Sequence, residues 1–243
     1  KIEKPDFADY IRQLGTAAGV TIDRFDRLLE ALENRLDFFE KMGCCASDHG
    51  LEGIPCREAG PEELEQIFQK ALRGESVTPE EKEAYQFAVL RFLGKEYARR
   101  GWVMQIHYSA MRNPNSRLFA RLGADTGFDC IDVDSAAGKL AGLLDSLDRD
   151  NCLPKIVLYS LNPADNAMLG ALIGSFQGPE ARGKIQHGSA WWFNDTKTGM
   201  EAQLTNLANL SILGNFIGML TDSRSLLSYA RHEYFRRILC NLV

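Results

Sequence analysis

The run Lys155-Ile156-Val157-Leu158-Tyr159-Ser160, followed by Leu161-Asn162-Pro163, decides the fold of this chain. It is short, apolar without alternation and closed by a proline, the pattern of a strand buried in a parallel sheet. Four further runs share that character: Gly43 to Ser47, Val103 to His107, Lys184 to Gly188 and Phe216 to Leu220. Each holds about five residues, is bounded by Gly, Pro or charge, and leads into a helical stretch. Strands separated by helices predict right-handed βαβ crossovers and an α/β fold.

The segments between the strands carry helical signals. From Ile22 to Met42, Phe25, Leu28, Leu29, Leu32, Leu36 and Phe39 recur at helical spacing. Thr21 and Thr78 are candidate N-caps, and Thr78-Pro79-Glu80-Glu81 puts proline and two acids in a first turn. That second helix is expected to reach Arg100 and stop at Gly101. Pro61 opens another through Leu72, with Gly74 as its stop. Gly178 to Gly183 reads as a surface loop.

Composition narrows the class. The 243 residues are 45% hydrophobic and 25% charged, with 21 Gly and 8 Pro, which excludes disordered, collagenous and low-complexity chains. No apolar run approaches the roughly 20 residues of a membrane helix, so a soluble, cytoplasmic protein is expected. A net charge of −5 argues against a general nucleic-acid binder. The six cysteines are scattered, with no C-x₂-C pair, and are expected to be reduced thiols. Lys1 in place of Met, and an apolar pattern still running at Val243, suggest a fragment.

Polar residues gather where the strands end. The first run leads to Asp48-His49, the second to His107 with Arg112 behind it, and the third to Asn162. The fourth leads to Trp191-Trp192-Phe193-Asn194-Asp195, the fifth to Asp222-Ser223-Arg224. Parallel α/β proteins, (β/α)8 barrels above all, build their sites at that edge. Each residue also has a plain reading. Asp222 and Arg224 could be a loop ion pair or a helix cap, His107 a hydrogen-bonded core histidine, Arg112 a solvated loop arginine, and Asp48 an Asx-turn. Adjacent tryptophans suggest one ring packed inward and one at a lip. His187, His232 and the run Arg231 to Arg237 read as packing and helix-surface residues.

Taken together, these segments resemble the uronate isomerase (glucuronate isomerase) family, an outlying branch of the amidohydrolase superfamily. The resemblance is carried by Met104-Gln105-Ile106-His107, Arg112-Asn113, Gly127-Phe128-Asp129, Leu153-Pro154-Lys155, Leu161-Asn162-Pro163, Gly188 to Asp195, Met219 to Arg224 and Tyr229 to Leu242. It is looser over the first hundred residues, where Ser47-Asp48-His49-Gly50 carries it. It implies a (β/α)8 TIM-type barrel of which this chain supplies about five βα units, strands four to eight. Residues 1–243 would then be the C-terminal portion of a single barrel domain, with a helical insertion around 61–101.

The resemblance also implies interconversion of D-glucuronate with D-fructuronate and of D-galacturonate with D-tagaturonate. It implies a divalent metal, zinc, held by Asp222 and His107, with the remaining ligands upstream of Lys1. The family's His-x-His motif has no counterpart here, so the chain alone is expected to be incomplete for catalysis. Asp222 matches a carboxylate that binds metal and moves a proton, with Asp48 as a second catalytic carboxylate. Arg224 and Arg112 would hold the uronate, and Trp191 would wall the pocket. The partner is a small uronate sugar, with self-association left open. Two alternatives stay open: a metal-dependent hydrolase on the same scaffold, and an inactive partial barrel.

Overall fold

The computed structural model describes residues 1–220, 223 and 225–243; Thr221, Asp222 and Arg224 lie outside the described residues. The helices are α1 (Phe7–Ala18), α2 (Phe25–Lys41), α3 (Pro61–Leu72), α4 (Pro79–Arg100), α5 (Ser116–Leu122), α6 (Ala137–Asp148), α7 (Asp165–Gly174), α8 (Lys197–Leu210) and α9 (Arg231–Leu242). The strands are β1 (Ala46–Gly50), β2 (Val103–Tyr108), β3 (Ala110–Met111), β4 (Cys130–Ile131), β5 (Lys155–Ser160) and β6 (Ile185–His187). The chain forms two compact units.

The first unit is helical: residues 1–46, 55–103 and 139–154. Its centre is a cluster of edge-on rings, with Phe7 and Phe25 each about 6 Å from both Phe68 and Tyr85. Phe68 is fully buried. The helix boundaries follow the local chemistry. Thr78 caps α4 reciprocally: its hydroxyl accepts from the Glu81 N–H (3.2 Å), and the Glu81 carboxylate accepts from the Thr78 N–H (2.7 Å). Gly101 ends the helix in the left-handed conformation. Thr21, by contrast, caps nothing. Helix α2 starts at Phe25, whose N–H is taken by the Glu65 carboxylate of α3 at 2.8 Å, a long-range cap that local sequence does not announce.

The second unit spans residues 47–54, 104–138 and 155–243 and holds nearly all of the main sheet. Its strand order is β1-β2-β5-β6. Strands β5 and β6 are parallel, with Ile156 opposite Ile185 and Leu158 opposite His187. Between β1 and β2, Val103 N–H bonds Cys45 O and Leu51 N–H bonds His107 O, so pairing advances the same way along both strands. Leu161 N–H bonds Tyr108 O where β5 leaves β2. Helices α7 and α8 follow β5 and β6, and Gly170 lets them close up, since a Cβ there would lie 2.6 Å from Leu210. The fold is therefore α/β with a parallel sheet.

Two expected strands are corrected. The first begins at Ala46 rather than Gly43, because Gly43 and Cys44 close α2 by bonding Glu40 O and Phe39 O. That shift puts Asp48 and His49 inside the strand. The run Phe216 to Leu220 is not a strand. Gly218 has φ +96°, and Ile217 N–H bonds the side-chain oxygen of Gln186 in place of a backbone ladder. Phe216 and Met219 instead pack on Met200, Leu204, Phe235 and Ile238. The paired two-residue strands β3 and β4 were not expected; so short a pair carries no periodicity.

Candidate active site

Strand β2 delivers His107, 9% exposed, to the edge of the sheet, where neighbours fix its ring. Its Nδ1 lies 2.7 Å from Oδ1 of Asp48 on the adjacent strand β1. The Tyr159 ring of β5 stacks flat on it, 4.2 Å between centroids and 4° from parallel. The Trp191 indole meets it edge-on at 4.6 Å. Tyr159 is itself held by donating its hydroxyl to Gln105 Oε1 at 3.0 Å. Gly188 makes room for that ring: a Cβ there would lie 2.3 Å from Tyr159 Cε1. A glycine on β6's exit thus sets how a histidine on β2 is packed.

The Trp191–Asn194 segment follows β6. Trp192 takes φ +52°, an uncommon conformation for an aromatic residue, which lays its indole against Phe193 at 5.0 Å. The Arg112 guanidinium sits over the Trp192 ring, 4.9 Å from its centroid. Arg112 is braced from behind by Asp129, at 2.9 Å, and the same carboxylate accepts the Asn113 N–H, also at 2.9 Å. The segment is anchored further by Asn194, whose amide donates to Leu161 O at 2.8 Å. Gly199 lies against it so closely that a Cβ would stand 2.1 Å from Asn194 O.

Asp195 closes the segment with its side chain 5% exposed. Its carboxylate pairs with the guanidinium of Arg231, the first residue of α9, and accepts the Tyr234 hydroxyl at 3.2 Å. The side chains enclose a cavity of about 370 Å³ whose wall includes His107, Arg112, Tyr159, Trp191, Trp192 and Arg231. Leu220 and Ser223 line it as well. Of the expected site residues, the cavity gathers His107, Arg112 and Trp191, and Asp48 reaches it through His107. Asp222 and Arg224 lie outside the described residues.

The expectation of one packed and one lip tryptophan fits these contacts, with Trp191 on His107 and Trp192 beneath Arg112. Arg112 is more than a loop arginine. Arg231, expected on a solvated helix face, lines the cavity; charge pattern along a helix cannot show what faces its first turn. Tyr159 and Asp129 were also missed. A strand buried on both faces gives no sign of which residue meets the site, and Asp129 has no fixed spacing from Arg112.

The electrostatics concentrate on the Asp48–His107 pair. Burial pushes the Asp48 carboxyl up, but the hydrogen bond and charge of His107 outweigh it and hold the carboxyl below the ordinary aspartate range. Asp48 is therefore ionised at neutral pH and accepts the proton on His107 Nδ1. A neutral His107 then carries its lone pair on Nε2. That Nε2 is buried with no hydrogen-bond partner among the described residues.

A carboxylate on one ring nitrogen and an unspent lone pair on the other is the donor arrangement of a metal-ligating histidine with its orienting carboxylate. His107 thus fits a divalent metal as one ligand. Among the described residues, no group of three or more His, Cys, Asp or Glu side chains converges to complete such a site. Nor is any helix among them long and apolar enough to cross a membrane.

Comparison with known proteins places these observations in a family context. The Glucuronate isomerase family model matches residues 1–243. Uronate isomerase of Lachnospira eligens is 52% identical over 242 residues, and that of Lachnoclostridium phytofermentans is 53% identical over 242. Each alignment takes in 100% of this chain and 52% of the relative, so the chain spans about half the length of the curated relatives it matches. Among solved structures, uronate isomerase from Thermotoga maritima superposes with a TM-score of 0.91 at 33% identity, over 100% of this chain and 52% of that one. Glucuronate isomerase from Caulobacter crescentus does so at 0.87 and 28% identity, over 99% of this chain and 49% of that one.

Proposed function

This chain belongs to the glucuronate isomerase family, and from that premise we propose that it is the C-terminal portion of a (β/α)8 barrel enzyme that interconverts uronates by aldose–ketose isomerisation. The substrates are D-glucuronate, giving D-fructuronate, and D-galacturonate, giving D-tagaturonate. The observation that carries this reading is the cavity itself: a histidine oriented by a carboxylate, its Nε2 without a hydrogen-bond partner among the described residues, together with an indole wall and an arginine.

The reaction needs those parts. The open-chain aldose loses its C2 proton to a base, and the electron pair left at C2 forms an enediolate across C1 and C2. A proton returned to C1, with transfer of the C2 hydroxyl proton to the C1 oxygen, leaves a hydroxyl on C1 and a carbonyl at C2. We assign the proton transfer to Asp222 and the grip on the uronate carboxylate and hydroxyls to Arg224 and Arg112. Trp191 walls the pocket and presents an apolar face to the C–H surface of the sugar. Asp48 acts through His107, holding its ring and tautomer. A divalent metal, zinc in this reading, held by His107 and Asp222 with ligands outside this chain, would supply positive charge for the developing oxyanion. The protein acts in the cytoplasm on a small sugar, with no nucleic acid or membrane partner; self-association is compatible with it.

The test is an isomerase assay of the full-length protein beside Asp222→Asn and Arg224→Met, following ketose formation from each uronate. Losses of at least about 100-fold are expected, the usual scale for removing a general base or an oxyanion partner. Near-native turnover in both variants would overturn the assignment.

A further inference from the structure

We infer that Asp129 is a positioning residue for the isomerisation: it acts through Arg112, fixing in advance the guanidinium that grips the uronate. The inference rests on the isomerase reading above.

The backbone brings the two residues together. Strands β3 and β4 pair antiparallel, with Ala110 opposite Ile131 and Met111 opposite Cys130. One step before that ladder the Asp132 N–H bonds Ser109 O at 2.9 Å. One step beyond it, the same register sets Asp129 opposite Arg112. A two-stranded ladder this short contributes little stability of its own. What it delivers is the carboxylate. Oδ2 of Asp129 accepts from Nη1 of Arg112 and Oδ1 accepts from the Asn113 N–H, each at 2.9 Å. Asn113 sits at φ +54°, so the chain turns sharply just after the arginine, and the bond to Oδ1 holds that turn. One side chain therefore clamps both the guanidinium and the backbone beside it.

The surroundings suit a brace. The Asp129 side chain is 8% exposed, while that of Arg112 is 43% exposed and lines the cavity. A shielded carboxylate is screened less by water and salt than a surface one, so this pair holds where an exposed pair contributes little. Trp192 supports the face of the guanidinium and Asp129 its edge. An arginine without these supports would be ordered only when the sugar binds, at a cost in affinity. Asp125 provides the contrast. Its carboxylate lies 3.5 Å from the same nitrogen and its side chain is 84% exposed, so it lacks both the close contact and the shielding.

The experiment uses the full-length enzyme and measures kcat and KM separately for D-glucuronate. Asp129→Asn keeps an oxygen for the Asn113 N–H and loses the charged partner of Arg112. It is expected to raise KM about 10-fold while kcat changes much less. Asp125→Asn removes a charge beside the same guanidinium and should leave KM within about 2-fold of wild type. In an Arg112→Met background, Asp129→Asn should add less than about 2-fold, because the residue it serves is gone. If Asp129→Asn does not fold, Asp129→Glu carries the same cycle, since it moves the charge by one methylene. A folded Asp129 variant with the wild-type KM would overturn the inference and leave the isomerase reading standing. So would an undiminished effect in the Arg112→Met background, or an equal KM rise in Asp125→Asn. A wild-type enzyme that turns over no uronate would end that reading, and the inference with it.

Discussion

Nδ1 of His107 and Oδ1 of Asp48 lie 2.7 Å apart across adjacent strands, and this contact leaves the lone pair of a neutral His107 on Nε2, which has no hydrogen-bond partner among the described residues. Asp48→Asn offers an amide in place of a carboxylate. Its NH₂ can donate to Nδ1, which drives the proton to Nε2 and removes the lone pair from that nitrogen. Metal affinity of the full-length protein is expected to fall about 10- to 100-fold, the scale for losing an orienting carboxylate. Competition against a chromogenic chelator measures it. Unchanged affinity would show that Asp48 does not orient a ligand.

Gly188 and Tyr159 give a second prediction. Adding one methyl in Gly188→Ala forces the Tyr159 ring off its place, since no Cβ fits 2.3 Å from that ring. Overpacking of this kind is expected to destabilise the fold by about 1–3 kcal/mol. Turnover should drop with it, because Tyr159 carries the flat stack on His107. Thermal unfolding and activity measured on one sample check both effects. A wild-type melting temperature would contradict the packing.

Arg112 tests the cation–π contact. Arg112→Lys keeps the charge but loses the planar group over Trp192 and the fork toward Asp129. KM for D-glucuronate is expected to rise about 10-fold or more in both Arg112→Lys and Arg112→Met. A lysine variant with native KM would mean that charge alone suffices at this position.

Stability should depend on pH through His187. Burial alone lowers its pKa to about 4, so the folded protein keeps it neutral where the unfolded chain, near the ordinary 6.5, takes up a proton. The contribution is intact above about pH 6.5 and is lost as pH falls toward 4, by about 3 kcal/mol in all. Denaturant titrations between pH 7 and 4, on wild type and His187→Gln, measure it. An equally steep acid loss in the variant would assign the effect elsewhere.

Much of this architecture was legible in the sequence. The β5 run was found with its true bounds, because a buried strand closed by proline has few other readings. The α4 boundaries were written in Thr78, Pro79 and Gly101. What escaped depended on distant residues. Glu65 caps α2 from another helix, and Gln186 takes the N–H that the Phe216 to Leu220 run would have offered to a sheet. In the site, Asp48, His107, Arg112 and Trp191 stood out because reactive and aromatic side chains gathered at strand ends. Tyr159, Asp129 and Arg231 did not, since their roles come from what packs against them.

The most direct test is a crystal structure of the full-length protein with D-glucuronate and zinc. The account predicts the sugar in the cavity between Trp191 and Arg112, with the metal on Nε2 of His107. A sugar bound elsewhere, or a metal site that leaves His107 out, would contradict it.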